Sequence, residues 1–154
     1  MEPTYPKRSE VIRLLLTVFL VAITTAVYAQ RKTSWDELSK VEWSVKYLET
    51  IEDSIMYPSF APAVMALQGV QLEVSGYIIP VDISQHIYVL SANPNASCFF
   101  CGFGGPESIV ELQLVDRSAI YSVDELLTFK GALKLNWEDM MHFNYILENA
   151  TKSK

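Results

Sequence analysis

Two cysteines in 154 residues are too few for a disulfide-dense scaffold and too few for a four-thiolate zinc site. Histidine is as scarce, with His86 and His142 the whole supply, so a zinc site needs ligands of more than one kind. Six glycines and seven prolines exclude collagen-like and proline-rich classes. Basic residues are outnumbered, 12 against 18 acidic ones, and a net charge of −6 argues against nucleic acid as the main partner. What is present is apolar: half the residues are hydrophobic and 12% aromatic, which excludes a disordered polymer. The length allows one domain with appendages.

The N-terminus addresses the compartment. Lys7, Arg8 and Arg13 precede an uncharged run from Leu14 to Val27, and Val27-Tyr28-Ala29 offers a small-residue exit before Gln30. That is the layout of a secretory signal peptide. The rival is an uncleaved anchor, but the run from Leu14 to Ala29 has 16 residues where a bilayer helix needs about 20. No cysteine follows the run, so a lipid-modified terminus is not expected. Residues 1–29 are therefore expected to be a signal peptide or membrane anchor. The protein is expected to be exported, periplasmic or secreted, or held at the inner membrane if the anchor stays. Membrane contact is expected only through residues 14–29. Their removal leaves nine basic and 16 acidic residues and a net charge of −7, which disfavours anionic lipid.

Residues 30–69 read as a lead segment packing on a barrel of residues 70–150. Ser34 with Glu37 three residues later is a capping-box pattern that predicts a short helix from Trp35. Val41, Trp43, Val45 and Tyr47 then alternate with polar residues as in a strand. Pro58 and Pro62 hold Tyr57–Ala61 extended, and Ala63–Leu67 has room for one helical turn. Strand patterns follow at Val70–Val81, Ile87–Ala92, Ile109–Val115 and Leu127–Leu135, with Phe143, Tyr145 and Leu147 marking a fifth. Trp137–His142 reads as a helical turn capped by Asn136. Five strands in about 80 residues, the first long and interrupted by glycine, fit the five-stranded Greek-key barrel called the OB-fold. The predicted class is all-β with short helical segments, an OB-fold-like barrel preceded by a signal or anchor helix.

Gly76 and Pro80 are the structural markers of the first strand. A mid-strand glycine weakens its own strand by about 1 kcal/mol, so it signals a conformation or close approach that side chains forbid. The expectation is a bulge or strong bend at Gly76, or a backbone crossing near Phe129–Gly131. Val70, Leu72 and Val74 should face inward before it. A phase switch should follow that turns Tyr77 and Ile79 inward, or else Ile78 alone.

The runs Gly76-Tyr77-Ile78-Ile79-Pro80-Val81-Asp82, Tyr88–Pro94, Ser97-Cys98-Phe99-Phe100-Cys101-Gly102 and Gly105-Pro106-Glu107 together resemble a family of small exported bacterial proteins. It is the family catalogued as domain of unknown function 3299, with an OB-like fold and a CxxCG motif. Phe129-Lys130-Gly131 and Tyr145–Ala150 are similar to it as well. The resemblance spans roughly Trp35 to Ala150 and implies an exported barrel without an established activity. It also implies that some members sit beside transport systems used under zinc limitation. The absence of a histidine-rich tract here weakens any inference of metal handling.

Cys98-x-x-Cys101 is the sharpest chemical feature. The spacing permits a structural disulfide, which an oxidising compartment favours, or chelation of one Zn²⁺. A redox pair normally opens a helix in a βαβ context, which is missing. In the OB topology the cysteine loop and the loop of His142 fall at one end of the barrel, and His86 falls at the other. Cys98, Cys101 and His142 can then converge, with Glu107 or Asp139 as a fourth ligand. The bland alternative makes both histidines ordinary surface residues. No carboxylate pair, Ser–His–Asp layout, phosphate-cradling loop or zinc-protease helix is present.

Two functions follow. The first is an exported, non-enzymatic binding or accessory module without a cofactor, taking a peptide, a glycan or a transport partner, with Cys98 and Cys101 stapling a loop. The alternative is a periplasmic zinc-handling accessory protein using Cys98, Cys101 and His142. Neither is an enzyme.

Overall fold

Leu72, Val74 and Ile78 share one face of the long strand β4 (Gln71–Asp82), and all three are buried in the main core. That alternation, repeated in four more strands, builds the barrel. The structure is a computed structural model that describes Arg13 and residues 31–49, 52–94 and 104–153. After β4 come β5 (Ile87–Ser91), β6 (Ile109–Leu114), β7 (Leu126–Leu135) and β8 (Tyr145–Lys152). The order β4-β5-β6-β8-β7 closes through a second pairing of β4 with β7. The pairings β4–β5, β5–β6, β4–β7 and β7–β8 are antiparallel, while β6 and β8 run parallel. This is the closed five-stranded barrel expected from the sequence.

Register sorts the residues. Ile78 pairs with Leu90 and Leu90 with Val110, a row that points into the core. The neighbouring row, Ile79 to Val89 to Glu111, points to the outer face. Tyr121, from the β6–β7 connection, packs edge-on against Tyr88 and Phe129, at 5.4 Å in each case.

The lead segment caps the barrel where β7 gives way to β8. β1 (Arg31–Lys32) pairs in parallel with Leu72 and Glu73 of β4. Ser34 then caps α1 (Trp35–Leu38), its side chain accepting from the Glu37 amide. The Glu37 carboxylate does not complete the reciprocal box; it binds Arg31 and the Thr33 hydroxyl instead. β2 (Val41–Leu48) and β3 (Asp53–Phe60) pair as a separate two-stranded ribbon, and α2 (Pro62–Met65) follows. Leu38, Val64 and Leu67 enter the main core without solvent exposure. Phe60 meets the rings of Tyr145 at 5.4 Å and Trp137 at 6.0 Å.

Two expectations need correction. The β4–β7 register runs unbroken through Gly76, and the irregularity lies between Pro80 and Asp82. Burial keeps its phase, with Leu72, Val74 and Ile78 in the main core, so Ile78 alone continues the inward set and Tyr77 and Ile79 do not join it. Gly76 is instead a close-approach residue. A Cβ there falls 2.6 Å from the Ser91 carbonyl oxygen and 3.0 Å from the Trp35 ring, not against Phe129–Gly131. This is the point where β4 leaves β7 and joins β5, so a neighbouring backbone must pass close over it. The second correction is Trp137–His142, which forms bends and turns and no helix.

Candidate functional site

The 136–144 loop is organised by one buried amide. Asn136 Oδ1 accepts from the Asp139 amide at 3.0 Å. Its Nδ2 donates to the carbonyls of Asp139 (2.7 Å), His142 (3.2 Å) and Phe143 (3.2 Å). Asn136 therefore has the capping chemistry that the sequence signalled, but it spends its donors on closing a loop. The Asn136 amide and the Asn144 carbonyl seal the base at 2.8 Å.

This loop folds back over the outer face of the barrel. Phe143 packs on Ile79 and Val89, and the third member of that row, Glu111, takes both of the loop's next contacts. Glu111 Oε1 lies 2.8 Å from His142 Nδ1, and Oε2 accepts from the Phe143 amide at 3.1 Å. The carboxylate is only 10% exposed, so these two contacts replace lost hydration. With a carboxylate at Nδ1, the proton of neutral His142 sits on that nitrogen and Nε2 is left as the acceptor.

The β4–β5 turn is built as tightly. Asp82 Oδ1 accepts from the Ser84 hydroxyl (2.6 Å), the Ser84 amide (2.8 Å) and the Gln85 amide (3.1 Å), and Oδ2 from the Gln85 side chain (2.8 Å). The Ser84 hydroxyl and then the Gln85 amide hold this exposed carboxyl below its usual range. His86 closes the turn at φ +56, a left-handed conformation uncommon outside glycine. Its Nδ1 is buried without a hydrogen-bond partner among the described residues.

Between this turn and the loop lies a cavity of about 590 Å³. Ile87, Leu112 and Gln113 contribute from β5 and β6, and Val81 and Arg117 from the segments beside the turn. His86 and His142 both line it. The topology does attach the two histidines to connections at opposite ends of the barrel. They meet across one groove because the 136–144 loop lies back along β6.

The sequence-derived site residues are distributed as follows. Cys98 and Cys101 lie outside the described residues. Glu107 sits in the short 3-10 turn Pro106–Ser108 and accepts from Trp43 Nε1 at 2.9 Å. Asp139 accepts from the Met141 amide at 2.9 Å. The Asp139 carbonyl accepts from the His142 amide at 3.3 Å, but neither carboxylate is hydrogen-bonded to the His142 ring, and among the described residues no three His, Cys, Asp or Glu side chains gather to hold a metal. The oxygen partner of His142 is Glu111, which sequence reasoning missed. Its one signal was a carboxylate at an outward position of a strand whose other outward polar residue is the uncharged Gln113.

Among the described residues, no helix is long and apolar enough to cross a membrane. No family profile matches the chain, and no curated protein sequence matches it. Among solved structures, the chain is similar to the crystal structure of a DUF3299 family protein from Pseudomonas aeruginosa PAO1. The identity is 15% and the TM-score 0.47, over 82% of this chain and 97% of that one.

Proposed function

We propose that this chain is an exported, non-enzymatic binding module whose ligand seat is the groove on the outer face of β5 and β6. The supporting observation is the position of the groove. It lies across the second and third barrel strands, between the first turn and the last loop, where barrels of this topology take extended ligands. The excess of acidic residues disfavours nucleic acid and leaves a peptide, a glycan or a segment of a transport partner. Glu111 and His142 form a carboxylate–imidazole pair, and among the described residues no hydroxyl or thiol lines the groove. In this reading the pair positions the loop, with Glu111 holding both His142 and the Phe143 amide. In this reading a Cys98–Cys101 disulfide staples the β5–β6 connection.

The test is a titration of the ¹⁵N-labelled chain with a mixture of short peptides bearing free termini, and separately with N-acetylglucosamine oligomers. Amide shifts should cluster at residues 83–87, 111–117 and 141–143 with one of them. Scattered shifts, or none with either probe, overturn the reading.

One contact favours a second reading, zinc handling by Cys98, Cys101 and His142. A metal-binding imidazole characteristically gives its other nitrogen to a carboxylate, as His142 does to Glu111. Stoichiometric zinc in protein purified under reducing, zinc-replete conditions, lost in His142→Ala, supports it. Metal-free protein under those conditions removes it.

A further inference from the structure

We infer that the groove recognises the C-terminal carboxylate of a peptide ending in apolar residues, with Arg117 as the group that takes the charge. The inference rests on the binding-module reading and names the ligand class of the same groove.

The charges decide it. Glu111 is the one carboxylate lining the groove among the described residues, and both its oxygens are engaged, by His142 Nδ1 and the Phe143 amide. Arg117 is different. Among the described residues it forms no ion pair, and its hydrogen bond goes to a neutral acceptor, the Gln85 carbonyl, at 3.2 Å. That contact uses one Nη2 donor and places the guanidinium beside the Asp82-bracketed turn. The remaining donors form a fork suited to a carboxylate. Both Glu111 oxygens are already engaged, so the charged donors left open in the groove are those of Arg117, which suit an anionic group.

The apolar lining decides the body of the ligand. Val81, Ile87 and Phe143 supply aliphatic and aromatic surface, and Met141, 88% exposed, also lines the groove. A methionine there can rearrange around side chains of different shape. Polar groups interrupt this lining. The Gln113 amide and the His142 ring belong to residues lining the groove and supply hydrogen-bonding groups. An acyl chain has no use for them, whereas the amides of a peptide do. A peptide terminus thus matches every class of group present: fork to carboxylate, aliphatic lining to side chains, amide and imidazole to backbone.

The probes are N-acetyl-Ala-Leu-Phe with a free carboxylate, the same peptide as its C-terminal carboxamide, and octanoate. Binding to the full chain is followed by ¹⁵N shifts and calorimetry at low ionic strength. The free carboxylate should bind with shifts at residues 83–87, 111–117 and 141–143, about tenfold tighter than the carboxamide. Arg117→Gln should remove that preference without changing the melting temperature, since the side chain makes one exposed hydrogen bond. Equal affinity for carboxylate and carboxamide in the groove overturns the carboxylate assignment and leaves the binding-module reading standing. Octanoate binding as tightly as the peptide overturns the peptide and retains Arg117. No groove shifts from any of the three overturns this inference, while the mixed-peptide and glycan titration decides the broader reading by itself.

Discussion

The Tyr145 hydroxyl donates to the Leu38 carbonyl at 2.6 Å, joining residues 107 positions apart in the chain. Leu38 ends α1 and Tyr145 opens β8, so this bond ties the lead segment to the barrel in a site sealed from water.

Tyr145→Phe should lower stability by about 1–2 kcal/mol, because it removes the bond and leaves the Leu38 carbonyl buried without a partner. The phenol also carries a pH signature. Burial first, and the Glu107 charge second, push its pKa well above the usual tyrosine value. The folded state therefore holds the proton more tightly than the unfolded chain does. This contribution is complete below the unfolded tyrosine pKa, near 10, and declines as pH rises above it. Urea unfolding across that range should show a falling stability that is shallower in Tyr145→Phe. Parallel curves for the two proteins would refute the assignment.

Gly76 should tolerate no side chain. Alanine there meets the Ser91 carbonyl and the Trp35 ring, and the expected cost is about 1–3 kcal/mol, with valine worse. A Gly76→Ala protein as stable as the parent in urea would mean that β5 and α1 move aside freely.

Glu111→Ala should release the 136–144 loop from the outer face. Loss of the contacts to His142 and the Phe143 amide predicts about 1–3 kcal/mol of destabilisation. Hydrogen exchange at Phe143 should speed by about tenfold or more, while the core amides of β4 change only with global stability. Unchanged protection at Phe143 would show that packing on Ile79 and Val89 holds the loop unaided.

The β4–β5 turn should loosen in acid. Because hydrogen bonds depress the folded Asp82 pKa, its support is present above the unfolded carboxylate pKa and is lost as pH falls through the folded one. The Gln85 amide resonance should follow that titration in the parent. In Asp82→Asn it should be pH-independent over the same range, and a residual acid transition there would assign the effect to another group.

The barrel was legible because its strands alternate. Leu72, Val74 and Ile78, or Val110 and Leu112, announce a core face by spacing alone, and five such runs in this order leave few topologies. The ribbon was half legible. β2 alternates, but Pro58 disguised β3, which accommodates it opposite Trp43. The groove was not legible, for a physical reason. Glu111 at an outward strand position reads as a solvated charge, and only the return of His142 and Phe143 across it makes it a buried anchor. Likewise, nothing local to Asn136 says whether its side-chain amide will cap a helix or close a loop. That choice depends on Ile79 and Val89, which lie far away in sequence.

The barrel strands β4 to β8 pair around a closed ring, and β1 already lies along Leu72 and Glu73 of β4, so they leave little edge for another chain to extend. The β2–β3 ribbon keeps both of its outer edges, and three apolar side chains on one of its faces, Val45, Tyr47 and Met56, are 77%, 60% and 56% exposed. Self-association of this protein, when it occurs, should therefore begin by strand addition on the ribbon and not by opening of the barrel. The β2 edge is the more vulnerable side, since Pro58 withholds an amide from any strand seeking to pair with β3.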